Sequence, residues 1–278
     1  MAHRLAAIVS ALPLTCAGMA FTSTVRHPAR VGPAGIADIG HRGASAYAPE
    51  NTLAAFRAAK TGNADFFELD VQQTKDHTPI VMHDTTLART TDAESVYPGR
   101  SPWRVGDFTL KQIERLDAGS WFSSRFRHER VPTLAGTLSE MEGSDLKLLL
   151  EIKDPSLYPG LTSRVADQLR AQPAWLLPDR LIVQSFDWGS VREFHRLMPA
   201  VPTGVLGTPT AAQLPAITKY AAYVNPRYDT INAAYVRRVH AQRLQVFSWG
   251  ADNAAAVRRL VDYRVDGIIS DRPEAVPR

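Results

Sequence analysis

The span ADIGHRGASAYAPENTLAAFRAAKTGNADFFELDVQQTKDHTPIVMHD, residues 37–84, carries the reading of the fold. It opens on a short apolar run, ADIGH (37–41), passes through an amphipathic stretch, NTLAAFRAAKTG (51–62), and returns to an apolar run, DFFELDV (65–71). A strand, a helix and a second strand joined this tightly form a βαβ unit, which predicts parallel strands. Asn51 is placed to cap the helix and Gly62 to end it. The next apolar run, PIVMHD (79–84), follows after only QQTKDHT. That linker is too short for a helical crossover, so the second and third runs are expected to pair as a hairpin.

Further along the chain the alternation resumes. Strand patterns LKLLLEIK (146–153), RLIVQSF (180–186), TGVLG (203–207), AAYVNP (221–226), LQVFSW (244–249) and GIIS (267–270) alternate with helical patterns such as SRVADQLRAQ, NAAYVRRVHAQR and DNAAAVRRLVDYR. About eight such repeats imply a closed TIM-type (β/α)8 barrel, occupying residues 37–278. The stretch from Thr85 to Asp145 shows no strand pattern and is expected to be a small insertion after the third strand, since a structureless loop of that length is improbable. Its Trp103, Trp121 and Phe122 could form a wall or lid over the barrel, or simply the insertion's own core.

Composition agrees with one large soluble domain. Of 278 residues, 45% are apolar and 22% charged, close to the globular average, which excludes collagen-like, disordered and multi-span membrane chains. The net charge of +4 is spread over scattered arginines with no basic run, which argues against nucleic acid as a partner. Cys16 is the only cysteine, so no internal disulfide and no thiolate metal cluster is available. Residues 1–20 have a basic start, an apolar run and small residues near its end, the three parts of a secretory signal peptide. The apolar run is short for a membrane span, so the mature chain is expected to carry none. Residues 21–36, rich in Pro, Gly and Ala, then read as a leader, and the protein as secreted or held in the cell envelope.

Barrel active sites lie at the C-terminal ends of the strands. There the first strand ends in His41-Arg42, the second carries Glu68 and Asp70, the third ends in His83-Asp84, and the fourth in Glu151 and Lys153. Period-two alternation puts Glu68 with Asp70, and Glu151 with Lys153, on shared strand faces. Burying so many charges requires compensation. Glu68, Asp70 and Glu151 together suit one hard divalent cation, Ca²⁺ or Mg²⁺; the same acids could instead form an ion network with Arg42 and Lys153. Arg42 at a strand end suits a bidentate contact with an anion such as phosphate, or a surface salt bridge. His41 and His83 fit a general acid and base pair.

Taken in order, HRGASAYAPENTLAAFRAA, FFELDVQQTKDHTPIVMHDTTLARTT, VPTL, LLLEIK, VQSF, FSWGADN and GIISDRP resemble the glycerophosphodiester phosphodiesterase family over residues 37–275. The resemblance implies a barrel with an inserted subdomain, one divalent cation, and hydrolysis of glycerophosphodiesters to sn-glycerol 3-phosphate and an alcohol. Position by position it implies that His41 and His83 are catalytic, that Arg42 and Lys153 contact the phosphate, and that Glu68, Asp70 and Glu151 are metal ligands. It makes Trp249 a candidate lining for the alcohol pocket, although FSWGADN departs from the usual pattern after the tryptophan. Glu50 and Asn51 are expected to organise the first loop. Related chemistries on the same barrel are a phospholipase D-type hydrolase acting on lysophospholipids or sphingomyelin, and a catalytically silent binding protein. The attacking group is water or the substrate's own glycerol 2-hydroxyl, which would pass through a cyclic phosphate.

Overall fold

A computed structural model describes residues 35–277. The expected export segment, and all of the expected leader but Gly35 and Ile36, lie outside the described residues. All nine expected strands form: β1 (Ala37–Gly40), β2 (Phe66–Gln73), β3 (Pro79–Val81), β4 (Lys147–Ile152), β5 (Leu181–Ser185), β6 (Thr203–Leu206), β7 (Tyr223–Asn225), β8 (Gln245–Trp249) and β9 (Gly267–Ser270). Every strand except β3 belongs to one closed parallel ring, in which β9 returns to β1 and β1 pairs with β2. This is the TIM-type barrel. The α-helices are α1 (Leu53–Thr61), α2 (Ala93–Val96), α3 (Leu110–Ile113), α4 (Leu134–Met141), α5 (Leu161–Arg170), α6 (Trp188–Leu197), α7 (Leu214–Ile217), α8 (Ala233–Ala241) and α9 (Ala254–Tyr263). Among the described residues no helix is long and apolar enough to cross a membrane.

Side-chain alternation sorts the strands into two layers. Ile39, Phe66, Leu149, Ile182, Tyr223, Phe247 and Ile269 form the interior of the ring. Their neighbours along β2, Phe67, Leu69 and Val71, point the other way and pack under the helices, where Phe67 meets Phe56 of α1 and Trp175. Helices facing this shell begin at polar caps on the mouth side. The side chains of Thr52, Thr133, Asp187, Asn232 and Asn253 each accept from a backbone N–H three residues on, satisfying a donor that the first turn leaves unpaired. Thr52, not Asn51, caps α1. Both residue types cap well, and the choice falls to Thr52 because the Asn51 amide is taken by a longer-range partner described below.

β3 is the exception to the ring. The β1 register reaches only Phe67 of β2, while β2 continues to Gln73. On the edge left free, β3 runs antiparallel, with Val81 opposite Val71 and Pro79 opposite Gln73. The sequence reading set His83 at the end of a strand like its neighbours. In the structure it descends to the mouth from above, against the direction of the ring strands.

The stretch 85–145 divides in two. Leu87, Ala93, Val105, Phe108, Ile113, Leu116 and Val131 make a small separate core, against which Trp103 packs. α4, by contrast, contributes Leu134, Leu138 and Met141 to the barrel's own shell. Trp121 stands 40% exposed, edge-on to Phe122.

Candidate active site

Each inward-facing series of the barrel continues, one step of two residues further, into a polar side chain. Ile39 leads to His41, Phe66 to Glu68 and Asp70, Leu149 to Glu151 and Lys153, Phe247 to Trp249, and Ile269 to Asp271. The apolar layer is thus capped by a ring of polar groups at the C-terminal mouth, as strand periodicity requires.

Backbone turns aim the first of these groups. Arg42 and Gly43 both take left-handed conformations, with φ of 52° and 85°. A Cβ on Gly43 would lie 2.5 Å from the Ala55 carbonyl carbon, so only glycine lets α1 sit this close to the turn. The turn directs the Arg42 N–H to Glu68 Oε2 at 2.7 Å and the Gly43 N–H to the Glu68 carbonyl at 3.1 Å. Asn51 then closes the loop on the same strand. It donates from Nδ2 to Asp70 Oδ2 at 2.8 Å and accepts at Oδ1 from the Asp70 N–H at 3.2 Å. The loop therefore acts as a further strand edge, filling the gap between β1 and β3.

Glu68, Asp70 and Glu151 converge, each offering an oxygen within 4.8 Å of the others, and all three are buried. Lys153 Nζ lies 2.9 Å from Glu151 and 3.8 Å from Asp70, and Arg42 Nε lies 3.6 Å from Asp70. Burial pushes Glu68 well above the ordinary carboxylate range, and the Asp70 and Glu151 charges push the same way. Burial and Asp70 likewise push Glu151 up to about 8, against the pull of Lys153. Burial alone would raise Asp70 as well, but Lys153, Arg42 and His83 outweigh it and hold that carboxyl low. Three acids thus face two cations, one of them, Arg42, shared with Glu50. The ion network of the sequence reading exists but leaves carboxylate charge uncompensated. The donor set fits a hard divalent cation, which would supply the missing charge.

In chain order His41 precedes and His83 follows the Glu68–Asp70 pair of this cluster, and each histidine is tied to a carboxylate. His41 Nδ1 donates to Asp271 Oδ1 at 2.7 Å, and the Ser45 hydroxyl donates to the same oxygen. His83 Nδ1 donates to Asp84 Oδ1 at 2.7 Å. An ionised carboxylate only accepts, so in both dyads Nδ1 carries a proton, which leaves Nε2 as the nitrogen that can exchange one with a substrate. The hydrogen bond from His83, with Arg89 close behind it, holds Asp84 well below the ordinary carboxylate range. Burial would raise Asp271, but its bond from His41 outweighs that and lowers it. The backbone behind His83 is held too: Gln72 Nε2 donates to the His83 carbonyl at 2.7 Å, and the Tyr158 hydroxyl donates to Gln72.

Trp249 ends β8 half-buried at the mouth, donating from Nε1 to the Asn225 carbonyl at 3.2 Å. Phe186, 52% exposed, stands edge-on to it at 6.1 Å, and Lys153 Nζ lies 5.8 Å from the Phe186 ring. One aromatic wall thus adjoins the charged cluster.

Every site residue named from sequence therefore reaches the same mouth. Asp271, Gln72 and Arg89 went unnoticed. Asp271 continues the β9 alternation two residues beyond Ile269, the same signal that flagged Asp70, and could have been read. Gln72 likewise continues the β2 alternation two residues beyond Asp70, whereas Arg89 carries no such signal.

The arrangement can be set beside known proteins. Residues 41–275 match the model of the glycerophosphoryl diester phosphodiesterase family. A glycerophosphodiester phosphodiesterase of Bacillus subtilis is 35% identical over 261 residues, covering 87% of this chain and 85% of its own length. Another, from Caldanaerobacter subterraneus, is 35% identical over 242 residues, covering 86% of this chain and 95% of its own. Among solved structures, an Oleispira antarctica phosphodiesterase in complex with the product sn-glycerol-3-phosphate is 25% identical, with a TM-score of 0.77, covering 86% of this chain and 94% of that one.

Proposed function

The chain belongs to the glycerophosphoryl diester phosphodiesterase family, and from that premise we propose that it hydrolyses glycerophosphodiesters to sn-glycerol 3-phosphate and an alcohol, with one divalent cation and two histidines as acid and base. The observation that carries this reading is the buried cluster of Glu68, Asp70 and Glu151, flanked by two histidine–carboxylate dyads and by Arg42 and Lys153. The three carboxylates would hold the ion. Ca²⁺ or Mg²⁺ bound there would neutralise charge on the phosphodiester oxygens.

The chain's own residues do the rest. Arg42 and Lys153 bind the non-bridging oxygens and stabilise the negative charge that grows as the attacking oxygen closes on phosphorus. One histidine takes the proton from that oxygen at Nε2. The other gives its Nε2 proton to the departing alkoxide as the phosphorus–oxygen bond breaks. Asp271 and Asp84 fix the orientation of both rings through their bonds to Nδ1. Trp249 and Phe186 bound the space for the alcohol.

A panel of glycerophosphodiesters with and without chelator, read by release of sn-glycerol 3-phosphate, tests the reaction and its cation together. Unaltered turnover after exhaustive chelation would overturn the carboxylate assignment. A second reading, phospholipase D-type cleavage of lysophospholipids, is favoured by exposed Phe186 and by Leu157, 58% exposed in the β4–α5 connection on the mouth side. Lysolipids in the same panel separate the two. The proposed site of action is outside the cytoplasm. N-terminal sequencing of native material should find residues 1–20 removed, and an intact Met1 would refute export.

A further inference from the structure

The two arms of the mouth are joined behind the reacting groups by one residue of the insertion. Arg89 donates from Nη1 to Glu50 Oε2 at 2.7 Å and from Nη2 to Glu50 Oε1 at 2.8 Å. It also donates from Nε to Asp84 Oδ2 at 2.6 Å and from Nη2 to Asp84 Oδ1 at 2.9 Å. All three guanidinium nitrogens are engaged, on two carboxylates. Those carboxylates are not idle: Glu50 Oε1 accepts from Arg42 Nη1 at 2.7 Å, and Asp84 Oδ1 accepts from His83 Nδ1 at 2.7 Å. The chain Arg42–Glu50–Arg89–Asp84–His83 is therefore continuous.

We propose that Arg89 is a positioning residue that sets the phosphate-binding arm and the acid/base arm relative to each other, by gripping Glu50 behind Arg42 and Asp84 behind His83. The proposal rests on the roles given above to Arg42 and His83. Arg89's side chain is 46% exposed, whereas that of Glu50 is only 11% exposed. Solvent on the Arg89 side screens the charge of an isolated pair, but four bonds to two carboxylates make a network whose use lies beyond charge alone. Geometry supplies it. A guanidinium is a flat fork that holds two carboxylates at fixed angles, which the point charge of a lysine does not do. Glu50 and Asp84 approach from separate segments, the first loop and the stretch just after β3. Without the fork, Glu50 would follow Arg42 alone and Asp84 would follow His83 alone, and only the backbone anchors of the two arms on β2 would relate one to the other.

The test is a set of variant cycles on the full chain. Asp84→Asn should act mainly on kcat, and Glu50→Gln mainly on KM and on the affinity for inorganic phosphate. Arg89→Ala should do both, with about a 10- to 100-fold loss, the range typical when an orienting partner behind a site is removed. Arg89→Ala combined with either carboxylate variant should lose no more than the worse single variant, because the members act through one another. Free guanidinium, below denaturing concentrations, should restore part of the Arg89→Ala activity where ammonium does not, and Arg89→Lys should fall between. Unaltered kcat and phosphate affinity in Arg89→Ala, losses that multiply in the double variants, or wild-type behaviour of Arg89→Lys would each overturn the proposal. Wild-type protein inert toward glycerophosphodiesters would instead sink the functional reading, while the phosphate-binding arm of the cycle would still report on Arg89.

Discussion

At the scale of single residues, the two dyads make the most direct claim. His41 and His83 differ in route, one rising at the end of β1 and one descending after β3, yet both present Nε2 with Nδ1 tied to a carboxylate. General acid or base help is worth about 10² to 10⁴ in rate. Alanine at either position should lower kcat by about that factor, and the double variant should lose far less than the product, since the pair acts as a unit. An aryl phosphodiester has a leaving group that needs no proton. It should restore the rate of whichever variant lost the acid, and that response assigns the roles. His195, half-buried on α6, and His240, paired with Asp266 ahead of β9, serve as controls and should tolerate replacement kinetically. Near-normal rates in both active-site variants would end the acid/base assignment. Asp271→Asn tests the dyad logic separately. It keeps the shape but allows the His41 ring to flip its tautomer, so kcat should fall while KM holds.

At the scale of elements, the β1–α1 junction decides whether the site assembles. Gly43 combines a φ of 85° with a space that ends 2.5 Å away at the backbone of α1. Gly43→Ala must either push α1 off the barrel or unwind the turn that points the Arg42 N–H at Glu68. Either way, both melting temperature and kcat/KM should drop, with activity failing at temperatures where circular dichroism still reports a folded barrel; a variant active as wild type would show that the turn is not needed. Much of this level was legible in the sequence. The strands announce themselves as short apolar runs, buried on both faces and set between amphipathic stretches, and the seven residues between Val71 and Pro79 exclude a helix, which is why the β2–β3 pairing could be foreseen. What the sequence hides is any choice made by a distant partner. Asn51 and Thr52 are both good caps in adjacent positions, and only the approach of Asp70, nineteen residues on, takes Asn51 away. Arg89 lies in an irregular segment with no period to read, half-exposed, and nothing local distinguishes it from the other scattered arginines. Similarly, α4 has an amphipathic pattern too brief to stand apart from the insertion until the barrel shell receives Leu134 and Leu138.

At the scale of the whole molecule, the acid cluster ties stability to pH and to cation. Glu151 has a folded pKa of about 8, against an ordinary value of 4.5, and burial raises Glu68 in the same sense. A carboxyl whose pKa is raised on folding binds more protons in the folded than in the unfolded chain between those two values. Stability then falls as pH rises from about 4.5 to 8, by a few kcal/mol for a shift of this size. Carboxyls held low, such as Asp70, Asp84 and Glu50, act in the opposite sense, but their contribution is complete once pH exceeds the ordinary carboxylate value. His195, which burial lowers, opposes the slope only as pH passes through its own range below 6.5. The chelated protein should therefore melt at a lower temperature at pH 8 than at pH 5.5. A cation competes with the protons for the same oxygens, and a ligand that binds only the folded state stabilises by RT ln(1 + [L]/Kd). Saturating Mg²⁺ or Ca²⁺ should consequently raise the melting temperature at both pH values, and by more at pH 8. Glu151→Gln removes one of the mutually repelling acids, so it should flatten the pH slope of the chelated protein while cutting the cation's effect. A chelated protein whose melting temperature is level or rising from pH 5.5 to 8, or a cation effect equal at the two pH values, would mean that the three carboxylates are already satisfied within the chain and need no ion.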